Sequence, residues 1–322
     1  MTLRLSRSIQ NLRESMGRLF SSSSNSTSIP EVTVDSTAHH IVFTTEDDCL
    51  SCPNPCESHE QLPGYLQKKI DTSNLYNSFK PYTQHLILKG GTGSTWLQSI
   101  EESKDSYFEK ADAILSKSTS GRILLTAYED ESQYTNPTPI DDTSGLSEDS
   151  QTESSSPENS QKDTSTSAIL FPKGLYFPKL NYEEVEQLAN WIIDPSTECP
   201  VESVPVTSKA YILVCTHKRR DKRCGVAGPM LVKEFSKEAD NLGMKDSISL
   251  FGVSHFGGHK FAGNIIVYHQ DKRGVWVGDW YGRIKTCHAK PVLQCAIKDE
   301  KVIQDLWRGR MNADKSDPGL DW

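Results

Sequence analysis

No apolar run in this 322-residue chain approaches the roughly 18 residues needed to cross a bilayer, so no membrane-spanning segment is expected and the protein should be soluble. Positive charge is also in short supply. A formal net charge of −8 and a pI near 5.6 argue against nucleic acid as a partner, because that function calls for a basic face. A secretory leader is missing, and the eight cysteines (49, 52, 56, 199, 215, 224, 287 and 295) are therefore expected as reduced thiols or metal ligands rather than disulfides. The glycine-rich Gly90-Gly-Thr-Gly-Ser94 lacks both the Lys-Ser/Thr ending of a phosphate loop and the spacing of a dinucleotide fingerprint, and reads as a turn. No credible pair of catalytic carboxylates is present, which leaves no basis for a glycoside hydrolase.

What the chain does contain is concentrated in its C-terminal half. Tyr211-Ile-Leu-Val-Cys215 is an apolar run ending on a thiol, followed by the basic stretch Lys218-Arg-Arg-Asp-Lys-Arg223 and then Cys224. Further on, Ser254-His-Phe-Gly-Gly-His-Lys260 holds two histidines four residues apart. The intervening glycines disfavour a helix, so His255 and His259 are expected on a tight turn. Two thiols and two imidazoles carried by loops at the ends of apolar runs form a plausible donor set for a metal. Ligand identity alone leaves zinc and an iron–sulfur cluster both open. His217 reads as an outer donor to the site or as a plain surface histidine, the latter being favoured. Cys49, Cys52 and Cys56, spaced closely around Pro53 and Pro55, form a candidate auxiliary zinc or redox site, with a mobile loop bearing incidental thiols as the alternative.

Periodicity and composition divide the chain into segments. Residues 1–48 read as a disordered basic and Ser-rich tail, whose first 20 form an amphipathic helix with Arg4, Arg7, Arg13 and Arg18; a mitochondrial presequence and a surface-binding helix both look like this. Residues 49–128 form the first part of an N-terminal α/β unit carrying the cysteine cluster, with strands at 85–88 and 122–126 and a helical stretch from Trp96 to Leu115. Residues 129–167 are almost devoid of aliphatic side chains and read as a disordered acidic insertion. The N-terminal unit resumes over 168–194, with a strand at 168–171 and a helix from Tyr182 to Ile193, and a proline-bearing link spans 195–208. Residues 209–312 then give strand, helix, strand, hairpin and a last helix from Val292 to Trp307, with the first of these helices starting near Pro229. This order is that of a thioredoxin-like α/β domain. The N-terminal half repeats enough of it to suggest a degenerate copy of the same fold, and 313–322 form a flexible tail ending in tryptophan.

Taken together, Cys215 through Pro229, Ser254 through Asn264, Trp280-Tyr-Gly282 and Leu306-Trp-Arg-Gly-Arg-Met311 resemble the sucrase/ferredoxin-like family. The resemblance implies a thioredoxin-like ferredoxin domain with a [2Fe–2S] cluster as cofactor, held by Cys215, Cys224, His255 and His259. It implies an electron-transfer or redox-sensing protein rather than a substrate-converting enzyme, with proton-coupled electron transfer and unnamed donor and acceptor proteins as partners. A structural zinc scaffold and a thioredoxin-type thiol oxidoreductase are the alternatives. The ending Leu320-Asp321-Trp322 resembles the tripeptide by which client proteins are recruited to the cytosolic iron–sulfur assembly targeting complex. The expected compartment is accordingly the cytoplasm, with extension to the nucleus allowed and the mitochondrion as the alternative.

Overall fold

The computed structural model describes residues 41–45, 57–129 and 165–311, all within one unit of the chain. The N-terminal amphipathic segment, Cys49, Cys52 and Cys56, the body of the acidic insertion and the tail with Leu320, Asp321 and Trp322 lie outside the described residues.

Twelve strands are found among the described residues: β1 (Val42–Thr44), β2 (Gln84–Lys89), β3 (Ile123–Glu129), β4 (Thr166–Phe171), β5 (Leu175–Leu180), β6 (Val204–Pro205), β7 (Ala210–Cys215), β8 (Ile248–Val253), β9 (Ile265–Gln270), β10 (Trp276–Tyr281), β11 (Lys301–Ile303) and β12 (Trp307–Met311). Ten of them make one mixed sheet in the order β12, β10, β9, β7, β8, β3, β2, β4, β5, β6, while β1 and β11 pair separately and in parallel. The order contains a repeat. In the second half β7 lies parallel to β8 and antiparallel to β9, which is antiparallel to β10. In the first half β2 lies parallel to β3 and antiparallel to β4, which is antiparallel to β5. Both halves thus have the same thioredoxin-like strand order and senses. They join through β3 and β8, which pair antiparallel over only Tyr128 with Val253 and Glu129 with Gly252.

Each half covers one sheet face with helices. Tyr107–Leu115 and Tyr182–Ile193 pack Phe108, Ala111, Leu115, Val185, Leu188 and Ile192 onto Leu86, Leu88 and Leu170. The helix Lys222–Asn241 and the helical stretch Ala289–Lys298 do the same in the second half, with Leu231, Phe235 and Val292 against Ile212, Val214 and Val267. The opposite faces of the two half-sheets meet each other in a third core that includes Ile87, Phe171, Leu213, Tyr268, Trp276 and Trp280. Phe171 stacks on Tyr268 across this seam with ring centres 4.0 Å apart. Burial on both faces explains why β4 and β7 read as unbroken apolar runs rather than alternating ones.

Several boundaries differ from those the sequence suggests. The strands beside the insertion reach Glu129 and begin at Thr166, because Thr166, Ser167 and Glu129 are buried and hydrogen-bonded although polar. The hairpin partner β5 is an addition to the expected first half, and it completes the match with the second. The helix expected from Pro229 starts at Lys222: the Asp221 side chain accepts from the Arg223 amide and caps the end, and Pro229 is accommodated inside. The last helix stops at Lys298. Glu300 takes a positive φ of 54°, and buried Val302, Ile303 and Trp307 then belong to β11 and β12.

Candidate metal centre

Cys215 ends β7 and Cys224 lies in the first turn of the helix it feeds, so a strand C-terminus and a helix N-terminus deliver the two thiols to one place. Both are buried, at 2% and 1% exposure. Gly228 allows this approach, since a methyl group there would collide with the Cys215 carbonyl. His255 follows β8, the parallel neighbour of β7, and the two loops therefore open at the same edge of the sheet. One ligand atom each from Cys215, Cys224 and His255 lie within 4.8 Å of one another. Cys215 Sγ stands 3.9 Å from His255 Nδ1, and His255 Nε2 stands 3.4 Å from His259 Nδ1. His259 falls outside the group of three mutually close donors and reaches it through His255.

The turn carrying the histidines is not helical, as the glycines predict: Gly257 and Gly258 have φ of 121° and 77°. Phe256 points inward and packs edge-on against Trp280 at 5.0 Å, which anchors the turn between its two imidazoles.

The electrostatics suit anionic sulfur. A hydrogen bond from the Cys224 thiol, with His255 adding to it, holds Cys215 well below its ordinary value despite burial; the same bond and burial push Cys224 up. The bare pair thus shares a proton that a bound metal would displace. Burial, then the neighbouring His255, lowers His259 and keeps its imidazole neutral. Lys218, Arg219, Arg220 and Lys222 are exposed and form no ion pair among the described residues, whereas Arg223 is paired with Asp221 at 2.8 Å.

His217 is not the surface histidine favoured from sequence. It is 1% exposed, burial lowers its pKa, and its Nδ1 accepts the His255 amide at 3.1 Å while Nε2 donates to the Leu97 carbonyl at 2.7 Å. It orients the backbone of a candidate ligand. The first half supplies further supports that the sequence reading missed. Ser254 exchanges two hydrogen bonds with the Ala127 backbone, and the Glu129 carboxylate accepts from Gly93 N and Thr216 Oγ1, both at 2.8 Å. Gly90-Gly-Thr-Gly-Ser94 is indeed a turn, and its role is to brace the ligand loop: Lys218 N donates to Gly93 O at 2.9 Å. No local pattern marks these contacts, which join residues about 36 to 127 positions apart. Cys199, Cys215 and Cys224 carry free thiols, but Cys295 is disulfide-bonded, contrary to the expectation of reduced cysteines throughout.

A mixed thiol and imidazole set thus stands at the C-terminal edge of a thioredoxin-like sheet in an α/β protein. The chain belongs to the sucrase/ferredoxin-like family, whose match runs over residues 75–309. It is 34% identical over 101 residues to altered inheritance of mitochondria protein 32 of Meyerozyma guilliermondii, covering 31% of this chain and 34% of that protein. It is 36% identical over 103 residues to the protein of the same name from Debaryomyces hansenii, covering 32% of this chain and 36% of that one. Actin patches distal protein 1 of Saccharomyces cerevisiae is 26% identical over 156 residues, 43% of this chain and 48% of the relative. The chain thus spans about a third to a half of the length of these curated relatives. No solved structure matches it. Among the described residues no helix is long and apolar enough to cross a membrane.

Proposed function

We propose that Cys215, Cys224, His255 and His259 hold a [2Fe–2S] cluster and that the protein is an electron-transfer or redox-sensing ferredoxin rather than a substrate-converting enzyme. The observation that carries this reading is the convergence of two buried thiols and His255 within 4.8 Å, with His259 adjacent but outside that group. A single zinc ion at 2.0–2.3 Å from its ligands keeps any two donor atoms within about 4.6 Å. His259 lies beyond that span from at least one of the other three donors, which favours a dinuclear centre over one zinc ion bound by all four.

Bound there, the cluster supplies a one-electron redox couple, at a potential raised by imidazole ligation relative to all-thiolate sites. The protein residues do the rest. Cys215 and Cys224 give up the proton they share, His217 and the Glu129 bridge hold the ligand loops, and Phe256 and Trp280 exclude water from behind the turn. If His255 and His259 hold the oxidised cluster, each imidazole would be able to lose its outer N–H proton to solvent from these half-exposed rings and would regain it on reduction, so that electron uptake would be tied to proton uptake.

The unpaired cations Lys218, Arg219, Arg220 and Lys222 beside the site fit donor and acceptor proteins with acidic faces, docking at rates that fall with ionic strength. The segment Leu320-Asp321-Trp322 supports recruitment by the cytosolic iron–sulfur assembly targeting complex and, with it, a cytoplasmic location. Deletion of Trp322 should then lower cluster occupancy in cells, whereas unchanged occupancy removes the tail from the scheme.

The decisive experiment is iron and acid-labile sulfide analysis of anaerobically purified protein, with visible absorption, and with electron paramagnetic resonance after reduction. Two irons and two sulfides per chain are expected. A colourless protein with stoichiometric zinc refutes the reading. Potentiometry from pH 6 to 9 should show a midpoint potential falling as pH rises, and a flat profile sinks the proton coupling.

A further inference from the structure

Two arginines of β12 point into the protein, Arg308 buried and Arg310 part-buried, and the fold treats them differently. Arg310 donates from Nε and Nη2 to the Asp279 carboxylate at 2.8 and 2.7 Å, a paired charge. Arg308 has no exposed surface at all. It donates from Nε to Ser78 Oγ at 3.0 Å, from Nη2 to Ser78 O at 2.6 Å, and from Nη1 to Gly257 O at 3.2 Å and Asn264 Oδ1 at 2.9 Å. Every acceptor is neutral, and among the described residues no carboxylate forms an ion pair with it. A guanidinium buried without counter-charge is costly, so a negative group is required within its field. The anionic group that acts on it is the Cys215 sulfur, held toward the thiolate, whereas Cys224 is pushed toward the thiol.

Its placement is equally specific. The guanidinium lies against the faces of Trp280 and Phe261, 5.2 and 5.4 Å from the ring centres, in a dry pocket under the histidine turn. A methyl group at Gly258 would collide with it, which accounts for glycine there independently of the turn's φ. Arg308 grips the Gly257 carbonyl directly, and its partner Asn264 donates to the Gly258 carbonyl at 2.9 Å. The two residues thus clamp two of the four peptides between His255 and His259.

We propose that Arg308 is the counter-charge of the metal centre: it positions the glycine turn that presents His255 and His259, and its fixed positive charge favours the reduced, more negative state of the cluster held there. This rests on the iron–sulfur reading. At a pH where the imidazoles keep their outer protons in both oxidation states, uptake of one electron would make the centre one unit more negative with no proton transferred, and a buried cation stabilises that state with little screening.

The test uses the full chain with Arg308→Gln, Arg308→Lys and Asn264→Asp. Removing the charge with Arg308→Gln should shift the one-electron reduction equilibrium at least tenfold toward the oxidised state, a potential about 59 mV lower. Asn264→Asp keeps Arg308 packed but gives it a carboxylate, and should lower the potential in the same direction; it decides the matter if Arg308→Gln does not fold. Arg308→Lys should retain most of the wild-type potential, a rescue that a purely structural role does not predict. Iron and sulfide at wild-type stoichiometry with one-electron reduction equilibria within threefold of wild type in both Arg308→Gln and Asn264→Asp overturn the proposal. Zinc without sulfide in the wild-type protein overturns this proposal and the cluster reading together, so the two failures are told apart before any potential is measured.

Discussion

Replacing Asp279 by asparagine should be among the most destabilising single changes outside the core apolar residues. The buried carboxylate accepts four hydrogen bonds, from His269 Nε2 and Trp307 Nε1 at 3.0 Å and from Arg310 Nε and Nη2 at 2.8 and 2.7 Å. Asparagine preserves the shape but removes the charge and turns an NH₂ toward donors, leaving the part-buried Arg310 without its carboxylate. Breaking a buried pair by removing one partner costs about 3–5 kcal/mol. For a unit of this size that corresponds to a Tm about 6–20 °C lower. Equilibrium guanidinium unfolding followed by tryptophan fluorescence measures it, with Trp307 itself on the carboxylate. The double variant Asp279→Asn with Arg310→Met removes both charges and should recover part of the loss, because the cost lies in the orphaned cation. A single-variant loss under about 1 kcal/mol, or a double variant no better than the single, refutes the reasoning. The acid limb gives an independent check. Burial opposes ionisation of Asp279, yet Arg310 and the His269 bond outweigh it and hold the carboxyl below the usual range. Its contribution should be complete above the unfolded value of about 3.9 and vanish as pH falls through the lower folded value.

His85, buried between Tyr268 and Thr126, is held neutral by desolvation, so protonation of the unfolded chain below about pH 6.5 should cost about 1.4 kcal/mol of stability by pH 5.5. That loss should shrink in His85→Gln, and an unchanged pH slope in urea titrations contradicts it. Gly258→Ala forces a side chain into the Arg308 guanidinium at a φ of 77°, and should purify with strongly reduced iron and sulfide; full occupancy contradicts the clamp. Glu129→Gln should keep the fold but loosen Gly93 and Thr216, seen as faster cluster loss to a chelator, and a wild-type rate of loss rules out the brace.

The candidate ligands stand out in the sequence because Cys215 and His255 follow apolar runs, where a strand must stop and a loop must begin. The glycine pair likewise announces a turn. The missed pieces share a different property: their partners are remote in the chain. Arg308 is one basic residue in a C-terminal stretch until Ser78 and Asn264 are placed beside it, and Glu129 borders an acidic composition that conceals its buried role. The helix start at Lys222 was hidden by Pro229, which local rules place in a first turn, whereas the Asp221 cap starts the helix seven residues before that proline. The wrong end of the last helix has the same origin, since Val302, Ile303 and Trp307 satisfy a helical spacing as well as the strand burial they adopt.

The repeated strand order raises the question of why the chain keeps a half that lacks the ligands. Position supplies an answer. The turn after β2 stands in the first half where the Cys215 loop stands in the second, and it closes on Glu129 and Lys218 instead of on a metal. Likewise β3 covers the edge of β8, an edge that would otherwise present unpaired backbone groups next to His255. Ser254, Thr216, His217 and Lys218 all take hydrogen bonds from or give them to the first half. On this view the ligand-free copy is the scaffold of the site rather than a remnant. A fragment of residues 209–311 should therefore expose the β8 edge, aggregate or bind the cluster poorly, and regain occupancy when co-expressed with the first half. If the fragment alone folds and binds iron and sulfide as fully as the intact chain, the dependence between the halves is absent and the contacts across β3 and β8 are incidental to the centre.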